Sequence, residues 1–316
     1  MPHSRIVTLT MNPALDLSTA VDEVVPFKKL RCGAMRRDPG GGGVNVARVI
    51  RRLGGDAHAV FPVGGSVGQV LARQVAGEGV TSRTVAIAGE TREDFTVFEK
   101  TSGKQFRFVE QGPELSEAEW RACFDTFLEE AKGAAFAVIS GSLPPGAPHE
   151  FFTLAARGLK TLGVPLALDT TGAGLKAALA EGVALVKPNQ GEFAELVGLK
   201  TTNLDALAAA ARDLAKRAQV GAIALTLAEQ GAIFASRDEA FRAEAPKVDA
   251  VSTVGAGDSF LGAMIWSLIE GRTQRDAFRT AVAAGSAALL SAGTDLAYPD
   301  AIGKLAEQVR LSEIKN

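Results

Sequence analysis

The residues best suited to chemistry lie at 252–259, where the sequence reads Ser-Thr-Val-Gly-Ala-Gly-Asp-Ser. The apolar run 260–269 follows directly and predicts a buried helix. The free N–H groups of Gly255, Ala256 and Gly257 would converge at the start of that helix, where the helix dipole favours an anion. Asp258 adds a carboxylate that can accept a proton. The octet therefore predicts an anion hole beside a base, as in a transfer reaction whose transition state carries negative charge.

The same octet also has a simpler interpretation as a helix N-cap. Asp258 would then accept a hydrogen bond from the second or third amide of the helix. Capping acids are far commoner than catalytic ones, so the octet taken alone favours the cap. Evidence from elsewhere in the chain has to decide between the two.

The composition is that of an ordinary globular protein, with 47% hydrophobic and 22% charged residues among 316. A net charge of −2 gives no reason to expect nucleic acid or a membrane as partner, so local positive groups must hold any anionic substrate. No apolar stretch reaches the roughly 18 to 20 residues of a membrane-spanning helix. The two cysteines, Cys32 and Cys123, have neither metal-ligand spacing nor the pattern of a disulfide framework. With no segment resembling a signal peptide, we expect a cytoplasmic protein.

Short β-rich runs alternate with longer helical runs along the chain. This alternation predicts a doubly wound, mostly parallel α/β sheet with helices on both faces, in one domain over 1–316. The predicted strands are 6–10, 57–63, 135–140, 165–169, 184–187 and 222–227. The predicted helices include 44–53, 204–218 and 116–132, the last of which opens with the capping box Ser116-x-x-Glu119.

Two segments interrupt the alternation. The segment 14–38 contains no convincing helix, and 91–110 is typical of a hairpin whose apolar residues alternate with polar ones. Together they predict a small projecting β-sheet, which we call the lid. A sheet with one apolar face often packs against a second copy, so the lid favours a homodimer.

A second glycine-rich loop precedes a helix at 38–48, where the sequence reads Asp-Pro-Gly-Gly-Gly-Gly-Val-Asn-Val-Ala-Arg. Four glycines exceed what a turn requires, and backbone that passes close to a ligand explains them. Asn45, in the first helical turn, would be placed to hydrogen-bond that ligand. The loop matches neither the Walker A pattern nor the dinucleotide fingerprint.

Two such loops at opposite ends of an α/β chain are together specific. The chain resembles the pfkB (ribokinase-like) carbohydrate kinase family nearly from end to end, and within its phosphosugar branch it is closest to the minor-type 6-phosphofructokinase group. The first loop and the octet resemble the two signatures of the family. The motifs between them are Thr10-Met-Asn-Pro-Ala-Leu-Asp16, Lys29-Leu-Arg-Cys32, Ile139-Ser-Gly-Ser-Leu-Pro-Pro-Gly146 and Leu185-Val-Lys-Pro-Asn-Gln-Gly-Glu192. The resemblance implies a ribokinase-like fold.

The resemblance also implies roles for individual residues. Asp258 becomes the general base, and the amides of Gly255, Ala256 and Gly257 become the anion hole for the moving phosphoryl group. The implied sugar-binding residues are Asp16, Gly41, Gly42, Asn45 and Ser140, with Lys29 and Arg92 for the phosphate of the sugar. Read from sequence alone, Asp16 is a turn acid, and Lys29 and Arg92 are solvated lid charges.

On the nucleotide side, the family implies that Lys187, Asn189, Thr226, Ala228 and Gly231 bind ATP. Glu192 would order Mg²⁺ through water, although it also reads as a helix-start acid favoured by the dipole. A monovalent-cation site for K⁺ is implied near Ser252, Val254, Ser291 and Gly293. Family members usually carry glycine where this chain has Ala228, and a positive φ there would strain the alanine.

The sequence therefore predicts an ATP-dependent kinase of a ketohexose phosphate, with fructose 6-phosphate phosphorylated at its 1-hydroxyl as the first hypothesis. Kinases of fructose 1-phosphate or tagatose 6-phosphate are alternatives with the same chemistry. A non-catalytic sensor of sugar phosphate or nucleotide is an alternative of another class. Intact Asp258 and Glu192 argue against the sensor, and Ala228 alone favours it.

Overall fold

The computed structural model describes residues 4–200, 203–217 and 220–314. Within these residues fourteen strands and ten α-helices alternate along the chain. The strands are β1 (Ile6–Leu9), β2 (Ala14–Val21), β3 (Arg36–Gly40), β4 (Ala57–Val63), β5 (Thr81–Ala86), β6 (Arg92–Glu99), β7 (Gln105–Phe108), β8 (Phe136–Ser140), β9 (Leu166–Asp169), β10 (Val183–Val186), β11 (Val220–Thr226), β12 (Ala232–Ser236), β13 (Ala240–Glu244) and β14 (Arg310–Glu313). The helices are α1 (Gly42–Arg52), α2 (Gly65–Gly77), α3 (Glu117–Ala131), α4 (Glu150–Leu162), α5 (Gly172–Glu181), α6 (Gln190–Val197), α7 (Leu204–Arg217), α8 (Ala256–Ile269), α9 (Gln274–Ala288) and α10 (Pro299–Ala306).

Ten strands form one large sheet in the order β14-β13-β12-β11-β10-β9-β8-β1-β4-β5. The seven strands from β11 to β5 are parallel, and β12 to β14 continue the sheet as antiparallel strands. The prediction of a mostly parallel α/β sheet is therefore confirmed. The order reverses between β1 and β8, and the carboxyl ends of the strands at such a reversal are where ligands bind in open α/β sheets.

Two hydrophobic cores cover the two faces of this sheet. One contains buried residues of α1, α2, α8, α9 and α10, and the other contains buried residues of α3 to α7. Successive side chains of a strand point to opposite faces of the sheet, so Ile6 of β1 lies in one core and Val7 lies in the other. The strands are therefore buried on both faces. The helix α8 is apolar all round and buried along most of its length.

The predicted elements agree with the structure to within two residues at the ends it describes. Helix α1 begins two residues before the predicted start at Val44, because the last glycines of the loop are already helical. The predicted capping box of α3 is present, with Ser116 and Glu119 each bonding the backbone of the other. The predicted last residue of α7, Ala218, lies outside the described residues.

The lid is a separate sheet of four strands in the order β3-β2-β6-β7. Strands β2 and β3 come from the first predicted segment, and β6 and β7 form the predicted hairpin. Phe95 pairs with Phe108, and their ring centroids lie 6.3 Å apart, so the predicted apolar alternation is confirmed. The parallel pairing of β2 with β6 joins the two halves of the lid.

Candidate active site

The start of α8 is built on a backbone turn that requires glycine. Gly255 is the N-cap residue and has φ 76, in the left-handed region. A Cβ atom there would also lie 2.3 Å from the Leu296 side chain. No side chain caps this helix, so the interpretation of Asp258 as an N-cap is wrong. Asp258 lies in the first turn of α8 beside the free amides of Ala256 and Gly257.

The side chain of Asp258 is bound from the first glycine-rich loop. The Asn45 amide nitrogen donates a hydrogen bond of 2.9 Å to the Asp258 carboxylate. Burial raises the pKa of Asp258 to about 6, and the nearby Asp169 carboxylate raises it further, while Asn45 and Lys187 act in the opposite direction. A carboxyl group whose pKa lies near neutrality is suited to take a proton in catalysis.

Lys187 brings a buried positive charge to the same place. It follows β10, and its ammonium lies 3.1 Å from the carboxylate of Asp169, at the end of β9. Burial alone would lower the pKa of Lys187, but the carboxylates of Asp169, Asp258 and Glu192 raise it above its ordinary value. The ammonium also lies 3.2 Å from where a Cβ atom on Gly257 would stand. A fixed cation therefore lies beside the amides at the start of α8.

The glycine-rich loop passes very close to other parts of the protein. A Cβ atom on Gly42 would lie 2.2 Å from the Ser140 hydroxyl, and one on Gly43 would lie 2.4 Å from the Leu9 carbonyl oxygen. These contacts occur at the ends of β8 and β1, where the strand order of the large sheet reverses. The expectation that close passage to a ligand accounts for the glycines is therefore incomplete, because these two are needed for packing against the strands themselves.

Asp16 lies on the lid strand β2 and faces the same loop. A Cβ atom on Gly40 would lie 2.3 Å from the Asp16 carboxylate. The hydroxyl of Thr294 donates a 2.5 Å hydrogen bond to Asp16. Burial raises the pKa of Asp16 to about 6 against the lowering effect of that hydrogen bond, and the Asp94 carboxylate raises it further. Asp16 is thus a partly buried carboxylate that accepts a hydrogen bond from Thr294, and it is not a turn acid, since it lies within a strand.

The residues expected to hold the sugar are brought together in part. Gly41 has φ 102 and precedes α1, and Ser140 donates a hydrogen bond of 3.3 Å to Asp169. Asn45 is buried. Its side-chain oxygen accepts a hydrogen bond from Arg48, and its side-chain nitrogen donates one to Asp258. The glycine loop, Ser140 and Asn45 therefore lie together at the carboxyl ends of the central strands β1 and β8.

The two expected phosphate cations differ in their surroundings. Arg92 opens β6 and binds the Asp94 carboxylate at 3.3 Å and the backbone oxygens of Asn12 and Glu110. Lys29 lies in the loop between β2 and β3 and is exposed to solvent. Arg92 is thus fixed at the base of the lid, whereas Lys29 is on its outer part.

Asn189 and Glu192 form a capping box at the start of α6. The Asn189 side-chain oxygen accepts a hydrogen bond of 2.9 Å from the backbone N–H of Glu192, and the Glu192 carboxylate accepts one of 2.8 Å from the backbone N–H of Asn189. The interpretation of Glu192 as a helix-start acid is therefore confirmed. Burial, followed by the charge of Asp169, raises the pKa of Glu192 above its ordinary value.

A large cavity of about 880 Å³ opens beside these residues. Its walls are mainly apolar, with Phe260 and Val282 among them, and it extends to Ala256 and Gly257 at the start of α8. The expected nucleotide residues Asn189, Thr226, Ala228 and Gly231 all line it. An apolar cleft with a few polar groups at one end suits a planar base with an attached anion.

Ala228 has φ 52, a left-handed conformation that is unfavourable for alanine. It begins a short 3₁₀ turn that ends at Gly231, whose φ is 92. The positive φ that would strain an alanine at this position is therefore present. A Cβ atom on Gly231 would lie 2.0 Å from the Ala243 carbonyl oxygen, so only glycine fits there.

The residues expected around a monovalent cation lie near one another in part. The Ser252 hydroxyl donates 3.1 Å to the Gly293 carbonyl oxygen and accepts from the Val254 amide. The Ser291 hydroxyl donates 2.9 Å to the carbonyl oxygen of Leu296. The segments 252–254 and 291–296 are thus joined by the hydrogen bond from Ser252 to Gly293.

Sequence reasoning missed three residues that the structure places in this site: Asp169, Thr294 and Arg48. Asp169 ends a strand that the sequence does predict, and its position at a carboxyl end is a signal that could have found it. Thr294 lies in an irregular segment with no such signal. Arg48 belongs to a group of arginines, with Arg51 and Arg52, that is typical of a solvated helix face, but its side chain is only 1% exposed.

The chemistry available here is transfer of an anionic group. Asp258, whose carboxyl pKa is raised, lies with a buried ammonium and free helix amides between an apolar cavity on one side and the lid on the other. Among the described residues, no helix is long and apolar enough to cross a membrane.

Comparison with known proteins agrees with this description. The family model described as "pfkB family carbohydrate kinase" matches residues 9–301. The chain is 43% identical over 303 residues to an ATP-dependent 6-phosphofructokinase isozyme 2 of Mycobacterium tuberculosis, covering 96% of this chain and 89% of that relative. It is 28% identical over 313 residues to a tagatose-6-phosphate kinase of Staphylococcus epidermidis, covering 98% and 100% of the two chains.

Among solved structures, the crystal structure of phosphofructokinase-2 from Escherichia coli in complex with potassium superposes with a TM-score of 0.91. The two sequences are 41% identical, and the match covers 96% of this chain and 99% of that one. The same enzyme has also been solved as a tetrameric inhibited form, with a TM-score of 0.90 and 40% identity.

Proposed function

Because this chain belongs to the pfkB family of carbohydrate kinases, we propose that it transfers the γ-phosphoryl group of ATP to the 1-hydroxyl of fructose 6-phosphate. The observation that carries the proposal is the arrangement of Asp258 at the start of α8, where its partly buried carboxylate lies near free amides and the Lys187 ammonium. The products are ADP and fructose 1,6-bisphosphate.

In the proposed mechanism, Asp258 takes the proton of the acceptor hydroxyl as that oxygen forms a bond to the γ-phosphorus. The bond from this phosphorus to the bridging oxygen of ADP breaks, and the electron pair stays on ADP. The amides of Gly255, Ala256 and Gly257, together with Lys187, stabilise the negative charge of the transferred group. The raised pKa of Asp258 matches the task, since the group is a stronger base than an exposed aspartate but is still ionised at neutral pH.

The sugar is proposed to lie between the lid and the glycine loop. Asp16, Asn45 and the amides of Gly41 and Gly42 would contact its hydroxyls, with Ser140 below them. Arg92 at the lid base and Lys29 on the outer lid would hold its phosphate. The exposure of Lys29 supports this role, because an unshielded ammonium on a lid is free to meet an anion as the lid closes.

The adenine of ATP is proposed to occupy the apolar cavity, with Thr226, Ala228 and Gly231 beside it and Lys187 and Asn189 toward the phosphates. Asp169 and Glu192 are carboxylates near this end of the cavity, and hard oxygen donors of this kind fit Mg²⁺. A bound Mg²⁺ would neutralise phosphate charge and orient the leaving group. K⁺ is proposed near Ser252, Val254, Ser291 and Gly293, where the two serine hydroxyls lie beside the carbonyl oxygens of Gly293 and Leu296.

We also propose that the lid mediates homodimer formation. Its exposed apolar side chains, Phe27, Leu30, Met35 and Phe108, support this proposal because contact with a second copy would remove their apolar surface from water. Light scattering of Phe108→Glu against the wild type tests it, and an unchanged dimer mass would contradict a lid interface.

The deciding experiment compares fructose 6-phosphate, fructose 1-phosphate and tagatose 6-phosphate with Mg-ATP in a coupled ADP-release assay. We expect the highest kcat/KM with fructose 6-phosphate, consistent with 43% identity to the first relative against 28% to the tagatose-6-phosphate kinase. A preference for either other sugar would assign the chain to its runner-up activity. Sugar or nucleotide binding without phosphoryl transfer would favour the sensor.

A further inference from the structure

Arg48, on α1, is a fully buried arginine beside the proposed catalytic machinery. Its side chain is 1% exposed, and its guanidinium pairs with the carboxylate of Glu78 at 2.6 Å. Burying a guanidinium is costly unless all of its donors are satisfied. Arg51, on the same helix, is exposed to solvent, so burial is a property of the Arg48 position and not of every arginine on α1.

The remaining donors of Arg48 bind three oxygens from separate parts of the site. The Nη1 atom lies 3.1 Å from the Asn45 side-chain oxygen, 3.0 Å from the Thr294 carbonyl oxygen and 2.7 Å from the Pro39 carbonyl oxygen. Pro39 belongs to the lid strand β3. One cation thus joins α1, the lid base and the segment that contains Thr294.

Two of these partners in turn hold the two carboxylates of the site. Asn45 donates to Asp258, and the Thr294 hydroxyl donates to Asp16. This inference rests on the proposed function. We infer that Arg48 is a positioning residue that orients Asp258 through Asn45 and Asp16 through Thr294 for phosphoryl transfer.

The physical reason is that arginine can only donate hydrogen bonds. A side-chain amide has one oxygen and one NH₂ group, and the oxygen must face Arg48. The NH₂ group of Asn45 is then directed at Asp258, where it stabilises the carboxylate. Without the guanidinium the amide is free to turn over and to present its oxygen to Asp258, which would disfavour the ionised base.

The second connection works through the backbone. Arg48 fixes the Thr294 carbonyl, which fixes the position of the Thr294 hydroxyl against Asp16. Lysine carries the same charge but is a single point donor, whereas the planar guanidinium reaches several acceptors at fixed angles. Arg48→Lys should therefore retain much of the folding stability and lose much of the positioning.

The test uses Arg48→Lys and Arg48→Met, with Arg51→Lys as the matched control on the same helix. In carbon-detected NMR of aspartate-labelled protein without substrate, we expect the titration midpoints of Asp258 and Asp16 to move upward in both Arg48 variants. The other charges near Asp258 are Asp169, Lys187 and Asp16, and those near Asp16 are Asp94, Arg107 and Arg92; none of these is altered by the substitutions. In the ADP-release assay, kcat/KM at about pH 8 should fall roughly ten- to hundredfold, as expected for loss of a hydrogen bond to a charged group.

Midpoints and kcat/KM equal to those of Arg51→Lys in a folded Arg48 variant would overturn the inference. A loss of activity that follows only the folded fraction, with unmoved midpoints, would do the same. If neither Arg48 variant folds, Thr294→Val should raise the midpoint of Asp16 without raising that of Asp258, and an unmoved Asp16 midpoint would overturn the inference. Failure of the proposed function would look different, since wild-type protein would then release no ADP with any of the three sugars.

Discussion

The side-chain amide of Asn45 donates a 2.9 Å hydrogen bond to the carboxylate of Asp258, which lies 213 residues further along the chain. The bond joins the first turn of α1 to the first turn of α8. The two glycine-rich loops therefore meet at one place in the fold, where we propose that the first loop binds the acceptor and the second provides the anion hole.

Replacing Asp258 with asparagine should reduce turnover by about 10²- to 10⁴-fold, because the acceptor hydroxyl would lose its base. The coupled ADP-release assay measures this loss, and calorimetry should find nucleotide binding retained. Asp300→Asn, at an exposed first-turn position of α10, is the matched control and should behave as wild type. Near-wild-type turnover of Asp258→Asn would refute the role of this residue.

The pH profile should carry an acidic limb near the pKa of about 6 that burial gives to Asp258. Below that value the base is protonated, so kcat/KM should fall by about tenfold for each pH unit. Asp16, with the same raised pKa, should steepen the limb as its acceptor oxygens are lost. A profile that stays flat down to about pH 5 would contradict both assignments.

The same carboxyl group should make the protein less stable as the pH rises. The folded state binds the proton of Asp258 up to about pH 6, whereas the unfolded state releases it near 3.8. Between these values the folded state holds more protons, so the free energy of unfolding falls as pH increases. Asp258→Asn should therefore gain stability over wild type from about pH 4 to 7, by on the order of 2 to 3 kcal/mol. Urea unfolding at a series of pH values measures this difference, and a difference that shrinks with pH would show the opposite linkage.

Ala228→Gly should relieve the left-handed strain in the wall of the cavity. The strain of about 1 to 2 kcal/mol is partly offset by the extra entropy of glycine in the unfolded chain, so we expect a net gain of up to about 1 kcal/mol and a KM for ATP that is equal or lower. Ala209→Gly, on the exposed side of α7, is the control and should cost about 1 kcal/mol. Thermal melting measures the stability of both variants, and steady-state kinetics measure their KM for ATP. A loss of stability in Ala228→Gly would count against strain at this position.

Gly42→Ala should disrupt the site, because its Cβ would lie 2.2 Å from the Ser140 hydroxyl and 2.9 Å from the Ser140 backbone carbon. The start of α1 would have to move away from β8, so we expect a loss of several kcal/mol in stability and of most activity. Gly77→Ala on α2 is the matched control, since no atom lies within 4 Å of its Cβ and it should stabilise the protein by roughly 0.5 to 1 kcal/mol. Equal melting temperatures for the two variants would show that the loop tolerates the added atom.

Much of the fold was predictable because its signals are local. Alternating runs of apolar residues indicate the strands and helices, and Ser116 with Glu119 marks the start of α3. The lid hairpin was predictable from the alternation of phenylalanines about a glycine turn. The resemblance of the two glycine loops to a kinase family also requires nothing beyond the printed sequence.

The tertiary structure alone decided which polar side chains meet. In sequence Asp258 could have been the N-cap of α8, and only the structure shows that Gly255 takes that position and that Asn45 binds the Asp258 carboxylate. Arg48 looks like a surface charge in sequence, yet three chain segments converge on it. Burial by distant segments sets both the pKa of a carboxylate and the partners of a guanidinium, and sequence spacing contains no direct information about which segments those are.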